Sequence, residues 1–142
     1  MKLVDTSAWV EFLRRQGDAK VKHTVARLLQ SDQVAYTCPV RFELLSGAKP
    51  NEENDLEQAL SLAQHYPFEP DDWRQAAMLE RRLRAKGLTI PRNDLFVAVV
   101  AIRVQIPILC RDKHFDAIRK IVSEGLNDAA KKLGGELKVE QM

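Results

Sequence analysis

Short apolar runs separated by longer amphipathic segments constrain the fold of this chain most strongly. The runs predict strands at residues 2–5, 34–36, 106–110 and 137–139, and the segments between them carry apolar residues at helical spacing. Strands that alternate with helices imply a parallel sheet covered on both faces. The sequence therefore predicts an α/β fold with a central parallel β-sheet flanked by helices on both faces.

Length and composition are typical of one globular domain. The chain has 142 residues, of which 45% are hydrophobic and 30% are charged. Its apolar runs are much shorter than the ~20 residues needed to cross a bilayer, and the N-terminus lacks the pattern of a secretory signal. Two separated cysteines, Cys38 and Cys110, suit a reduced interior. We expect a single domain over residues 1–142, located in the cytoplasm.

Net charge by itself says little about partners. The value of +2 is too small to indicate a nucleic-acid binder. Most basic clusters in the chain are typical of solvated helix faces. Arg111 and Lys113 differ, because they flank a candidate functional acid, Asp112.

Acidic residues stand where the predicted strands and helices meet. Asp5 ends the first predicted strand, and Asp112 follows the strand at residues 106–110. Glu43 and Asp94 lie in the first turns of predicted helices, with Asn93 as a predicted N-cap. Ligand sites of open parallel sheets lie beyond the carboxyl ends of the strands, so all four acids are predicted to reach one end of the sheet.

Each of these acids also has an ordinary structural interpretation. Asp94 suits the dipole of a helix start, and Asp112 suits a turn. Glu43 stands among apolar residues on a helix predicted to be largely buried, where a carboxylate needs a partner. Asp5 ends a buried strand and is explained less well by helix capping than Asp94 is. The predicted placement of all four acids at one end of the sheet therefore favours a metal site. Mg²⁺ and Mn²⁺ prefer carboxylate oxygens and activate water for phosphodiester hydrolysis.

The order of the motifs resembles the PIN-domain family and, within it, the VapC-type toxins of bacterial toxin–antitoxin pairs. The resemblance spans about residues 3–115. Its last piece, around Asp112, is similar to the family's T-x-D-x-D-F segment. The matching pieces are Val4-Asp5-Thr6-Ser7, Glu43-Leu44-Leu45-Ser46-Gly47, Asn93-Asp94 before an apolar helix, and Leu109-Cys110-Arg111-Asp112-Lys113-His114-Phe115.

The resemblance implies a function and a set of site residues. The implied activity is Mg²⁺- or Mn²⁺-dependent endoribonuclease cleavage by metal-activated water. VapC-type members are typically homodimers held by a cognate VapB-type antitoxin. The implied metal ligands are Asp5, Glu43, Asp94 and Asp112, with a hydroxyl of Thr6 or Ser7 on the water or on Asp5.

The chain departs from the family pattern at two positions. Cys110 stands where many relatives carry threonine, and His114 stands where many carry a further aspartate. The loss of that carboxylate favours one metal ion over two, and Asp116 is a candidate substitute. His114 is otherwise a candidate general acid or a substrate contact at the rim.

Other functions stay open at this level. A receiver domain needs an acidic pair after the first strand, and a haloacid-type phosphatase needs an aspartate at the position of Ser7, so both are disfavoured. A PIN-like nucleic-acid or protein binding module without catalysis is one alternative. A PIN nuclease of RNA processing, outside a toxin pair, is another.

The remaining segments carry structural predictions. Residues 51–55 are predicted as a polar loop, followed by a helix over residues 55–65. Trp9 and Trp73 are both predicted to lie in the core. The apolar helix faces near residues 56–62 and 73–83 are candidate dimer contacts.

Overall fold

A parallel sheet forms the centre of the computed structural model, which describes residues 1–128 and 133–142. Within these residues the sheet has five strands in the order β3-β2-β1-β4-β5, and every neighbouring pair is parallel. The strands are β1 Lys2–Val4, β2 Val34–Thr37, β3 Gln64–Tyr66, β4 Ile108–Cys110 and β5 Val139–Gln141.

Helices connect the strands and cover the sheet. Pro39 and Pro70 lie in the first turns of two of them, where a missing backbone N–H has no cost. The described helices are α1 Thr6–Leu13, α2 Ala19–Gln30, α3 Cys38–Gly47, α4 Glu53–Ser61, α5 Pro70–Ala85, α6 Arg92–Val104 and α7 His114–Glu124, with a 3₁₀ turn at Pro50–Glu52. None of the helices in this part of the chain combines the length and apolarity needed to span a membrane.

The strand order reverses between β1 and β4. From β1 the chain proceeds outward through β2 and β3, and then returns to add β4 and β5 on the other side of β1. Leu3 pairs with Ile108 and Val4 with Leu109, and the backbone N–H of Asp5 donates to the Leu109 carbonyl at 2.9 Å. The residues that follow β1 and β4 therefore emerge side by side at a topological switch point, where α/β proteins bind ligands.

The central strands are buried on both sides. Leu3, Val4, Ile108 and Leu109 are fully inaccessible to solvent, as expected for parallel strands between two helical layers. Helix α6 is also buried over most of its length, because its apolar residues are not confined to one stripe. This rigid centre holds the ends of β1, β4 and α6 in position.

The structure corrects several local predictions. The helix predicted over residues 55–65 extends too far, because residues 64–66 form the edge strand β3. This strand is polar and exposed, so apolar periodicity does not reveal it. The predicted loop at 51–55 is the 3₁₀ turn and the start of α4. Trp9 is fully buried as predicted, but Trp73 is 60% exposed, so its assignment to the core is wrong. Both cysteines are free thiols.

Candidate active site

Asp5 is held in place by Ser7 at the carboxyl end of β1. It is the N-cap of α1, and its Oδ2 accepts hydrogen bonds from the backbone N–H of Ser7 at 3.1 Å and from the Ser7 hydroxyl at 2.8 Å. The residue is only 2% exposed, and its other oxygen, Oδ1, is buried without a hydrogen-bond partner. The expectation that Asp5 has no good capping role is therefore wrong: one oxygen caps α1, and the other is left without a partner.

Burial raises the pKa of Asp5 above its ordinary value. The hydrogen bonds from Ser7 oppose this shift, and the nearby negative charge of Glu43 adds to it. A carboxylate that is buried beside another acid, with one oxygen unpartnered, lacks a compensating cation among the described residues. Ionised Asp5 therefore carries a buried negative charge that a bound cation would neutralise.

Glu43 approaches the same edge of the sheet from the second turn of α3, so its predicted place in the first turn of the helix is wrong. Its Oε1 accepts a hydrogen bond from the Thr6 hydroxyl at 3.0 Å, which connects α3 to the first residue of α1. Glu43 itself is half-buried, but its neighbour Phe42 is 65% exposed. The prediction that α3 is largely buried around Glu43 is therefore wrong, and Thr6 supplies the partner that the carboxylate needs.

Asp94 lies in the first turn of α6 and is 7% exposed. The N-cap of this helix is Pro91, whose carbonyl accepts from the backbone N–H groups of Asp94 and Leu95. Asn93 is already inside the helix, so its predicted role as the cap is wrong. Helix α6 places the Asp94 carboxylate beside the segment that follows β4.

His114 joins Asp94 to Asp112. Its Nδ1 lies 2.9 Å from Asp94 Oδ2 and 3.0 Å from Asp112 Oδ1. Its backbone N–H also donates to Asp112 Oδ1 at 2.9 Å, at the start of α7. The side chain predicted to lie at the rim thus stands between two of the candidate acids.

Burial raises the pKa of Asp94 from its ordinary value to about 7, and the neighbouring acids add to this shift. Burial is the main cause, followed by the charges of Asp112 and Asp5, while the contact with His114 acts in the opposite direction. Because Glu43 acts on Asp5 and Asp5 acts on Asp94, the electrostatic influence extends across all four predicted acids. The structure brings these side chains to one end of the sheet.

The remaining predicted residues lie around this cluster. Arg111 forms ion pairs with Glu11 and Asp18 at 3.9 Å and 3.3 Å, and its neighbour Lys113 is exposed. Asp116 lies within 3.3 Å of the Gln141 amide and is not one of the three residues whose ligand atoms converge. Its predicted substitution for the missing aspartate thus has no support from this geometry.

Gln141 is a contact that sequence reasoning missed. Its Nε2 donates to the backbone carbonyl of Asp112 at 2.7 Å, so the last strand, β5, supports the segment that carries Asp112 and His114. The predicted strand at 137–139 stops short of this residue. Because β5 is short and polar, no pattern in the sequence indicates that Gln141 contacts the site.

The donor set suits a divalent metal ion. Asp94, Asp112 and His114 each offer one ligand atom, and these atoms lie within 4.8 Å of one another. Asp5 and Glu43 are not part of this converging set. The unpartnered Asp5 Oδ1 and the raised pKa of Asp94 both indicate negative charge that a cation would neutralise. The residues present therefore fit a metal bound by carboxylate oxygens and one imidazole.

A groove runs from this site along α1 and α3. It encloses about 270 Å³, and both apolar and charged residues line it, including Arg14 and the acids Glu43, Glu52 and Asp55. Glu43 is part of both the groove and the acidic cluster. Lining residues include Val10, Leu13, Leu44, Glu52, Asp55 and Leu56.

Comparison with known proteins places this arrangement in a family. Residues 2–121 match the PIN domain family. VapC ribonuclease Mb1587 from Mycobacterium bovis is 37% identical over 128 residues, which are 87% of this chain and 95% of that protein. Ribonuclease VapC19 from Mycobacterium tuberculosis is 33% identical over 117 residues, 81% of this chain and 92% of that protein.

Solved structures show the same fold. The structure of VapBC2 from Rickettsia felis, bound to a DNA fragment from their promoter, aligns with a TM-score of 0.72 and 21% identity. The alignment covers 99% of this chain and 97% of that one. Since the family match covers most of the chain and the VapC relatives exceed 30% identity, this protein belongs to the PIN domain family, on its VapC branch.

Proposed function

We propose that this protein is a metal-dependent endoribonuclease and the toxin of a VapBC-type toxin–antitoxin pair. Its 142 residues form one PIN-like nuclease domain that acts in the cytoplasm. The cluster of Asp5, Asp94, Asp112 and His114 at the β1–β4 switch point is the observation that carries the proposal. The similarity to proteins named VapC ribonuclease supports RNA as the substrate.

The proposed metal ligands are Asp5, Asp94 and Asp112, with Glu43 at the edge of the same site. Mg²⁺ or Mn²⁺ held there supplies positive charge, which orients the phosphodiester, lowers the pKa of a water and offsets charge on the leaving oxygen. One ion is favoured, because His114 replaces one carboxylate. The buried, unpartnered Oδ1 of Asp5 supports its role as a ligand.

The hydroxyl residues position the acids. Ser7 fixes the rotamer of Asp5 through two hydrogen bonds, and Thr6 occupies one oxygen of Glu43. The second oxygen of Glu43 is then able to orient the attacking water and accept its proton. Exposed Lys113 is suited to contact RNA phosphates near the scissile bond.

The groove beside the site supports an antitoxin partner. An amphipathic segment would bury its apolar residues against Val10 and Leu13, whose side chains are exposed at the groove. Basic residues of that segment would pair with Glu52 and Asp55 at the rim and extend toward Glu43. We propose a VapB-type antitoxin as this partner, and a homodimer of the toxin as the assembled form.

Cleavage and metal binding by acid-to-amide variants test the nuclease proposal. Purified wild-type protein should bind Mn²⁺ in a calorimeter and cleave bulk RNA, with cleavage stopped by EDTA. Asp94→Asn should lose metal binding, and Asp5→Asn should abolish cleavage while its circular dichroism spectrum stays that of the wild type. An active Asp5→Asn protein would contradict the proposal.

Asp71→Asn is the matched control. Asp71 also lies in the first turn of a helix, but it is exposed and far from any candidate ligand in sequence, so its variant should bind metal and cleave RNA normally. Absence of both metal binding and cleavage in folded wild-type protein would favour the non-catalytic binding module. Cleavage without inhibition by an antitoxin encoded nearby would favour an RNA-processing nuclease.

A further inference from the structure

His114 stands at metal-ligand spacing from two carboxylates. Its Nδ1 lies 2.9 Å from Asp94 Oδ2 and 3.0 Å from Asp112 Oδ1, which are hydrogen-bond distances in the metal-free protein and also equal the separation of adjacent ligands in an octahedral site. Bonds of about 2.1 Å at right angles place neighbouring ligand atoms about 3.0 Å apart. The nitrogen therefore occupies a position from which it and either oxygen can bind the same ion.

Asp5 provides a second observation that points to a cation at this end of the sheet. Its Oδ1 is buried and makes no hydrogen bond. A buried carboxylate oxygen without a donor is costly, so a positive ligand is expected on its open side. This observation does not depend on the contacts of His114.

The backbone holds His114 in this orientation. The His114 N–H donates to Asp112 Oδ1, and the next residue, Phe115, is fully buried. Phe115 anchors the first turn of α7, while Gln141 fixes the carbonyl of Asp112. The segment that carries the imidazole is thus fixed on one side by the buried Phe115 and on the other by the hydrogen bond from Gln141 to Asp112.

We propose that His114 is a metal ligand through Nδ1, and that the resulting face of carboxylates and one imidazole favours Mn²⁺ over Mg²⁺. This inference rests on the proposed metal-dependent function and specifies its ligand and its ion. Imidazole suits first-row transition ions, whereas Mg²⁺ prefers oxygen ligands. In the bound form the Nδ1 lone pair faces the ion and the ring proton lies on Nε2. A proton carried by Nδ1 in the metal-free protein passes to Nε2 or to solvent.

Electron spin-echo spectroscopy of the Mn²⁺-loaded protein tests the ligand directly, without RNA. Wild type should show ¹⁴N modulation from a coordinated imidazole, and His114→Asp and His114→Ala should lose it. His23→Asn and His65→Asn are matched controls, because these are the other two histidines of the chain, and both should keep the signal. Wild type without ¹⁴N modulation, or His114→Ala that retains it, would overturn the proposal.

Calorimetric titration with Mn²⁺ and with Mg²⁺ tests the selectivity. In His114→Asp, an all-oxygen site, the ratio of Mn²⁺ to Mg²⁺ affinity should fall about tenfold relative to wild type. An unchanged ratio in a variant with a wild-type circular dichroism spectrum would overturn the proposal. Nitrogen coordination in a protein that does not cleave RNA would contradict only the nuclease function. Mn²⁺-dependent cleavage without nitrogen coordination would contradict only this inference.

Discussion

The hydroxyl of Ser7 accepts a hydrogen bond from the backbone N–H of Arg111 at 2.9 Å, although the two residues are 104 positions apart. The same hydroxyl donates to Asp5 Oδ2 at 2.8 Å. One side chain therefore couples the acid that follows β1 to the backbone that leads from β4 to Asp112.

Ser7→Ala should lower the stability of the protein. The variant loses the hydroxyl bonds to Asp5 and Arg111, so we expect the free energy of unfolding to fall by about 1 to 3 kcal/mol in urea titrations. Ser61→Ala is the control: its hydroxyl is exposed and donates to the carbonyl of Gln58 in its own helix, so a change within about 0.5 kcal/mol is expected. Equal stability of the Ser7→Ala and Ser61→Ala proteins would show that the connection contributes little.

Asp94→Asn should stabilise the metal-free protein while it eliminates metal binding. The wild-type carboxylate is buried near Asp112 and Asp5, and an amide of the same shape removes that repulsion. A higher melting temperature in EDTA, together with the loss of any Mn²⁺-induced shift, is the expected pair of results. A melting temperature below that of wild type in EDTA would mean that the contact with His114 outweighs the repulsion between the acids.

Stability of the metal-free protein should fall as the pH rises toward neutrality. The pKa of Asp94 is about 7 in the folded chain, against an ordinary value of 3.8, so the folded state binds the extra proton between these values. The stabilising contribution of this group is therefore fully present below 3.8 and is lost as the pH rises through about 7. Urea titrations of wild type and Asp94→Asn from pH 4 to pH 8 isolate the effect. Parallel stability curves for the two proteins would contradict the shifted pKa.

Thr6→Val should impair cleavage with little effect on folding. Valine keeps the branched shape but removes the hydrogen bond to Glu43 Oε1, so the carboxylate loses its fixed orientation. We expect kcat to fall about tenfold or more, because small misplacements of reacting groups are costly. Thr6→Ser keeps the hydroxyl and should restore most of the rate, whereas equal impairment by serine would assign the effect to packing of the methyl group.

Gln141→Leu should weaken metal binding from outside the ligand set. The change removes the 2.7 Å hydrogen bond to the Asp112 carbonyl, and outer contacts of this kind contribute about 10- to 100-fold to metal affinity. Mn²⁺ calorimetry provides the measurement. Glu140→Gln, which breaks only the exposed ion pair with Lys2, should leave the affinity unchanged. Comparable losses in the two variants would point to general weakening of β5.

The positions of Asp5 and Asp112 were predictable from local pattern. Each follows an apolar run, and a run of that kind predicts both a buried strand and the edge at which it ends. Asn93 and residues 64–66 were misassigned for a related reason. Polar residues at helix ends and in exposed edge strands carry no periodic apolar signal. Whether such a residue caps a helix, lies inside it or forms a strand depends on the elements that pack beside it.

The sequence by itself determined the α/β class, the order of the elements and the end of the sheet at which the acids gather, because these follow from the spacing of apolar residues along the chain. Only the tertiary structure decided which side chains complete the site. The hydroxyl of Ser7 on Arg111, the imidazole of His114 between Asp94 and Asp112, and the amide of Gln141 on Asp112 all depend on how β1, β4, β5 and α6 pack together. Their geometry is set by close packing between elements distant in the chain, which no local pattern encodes.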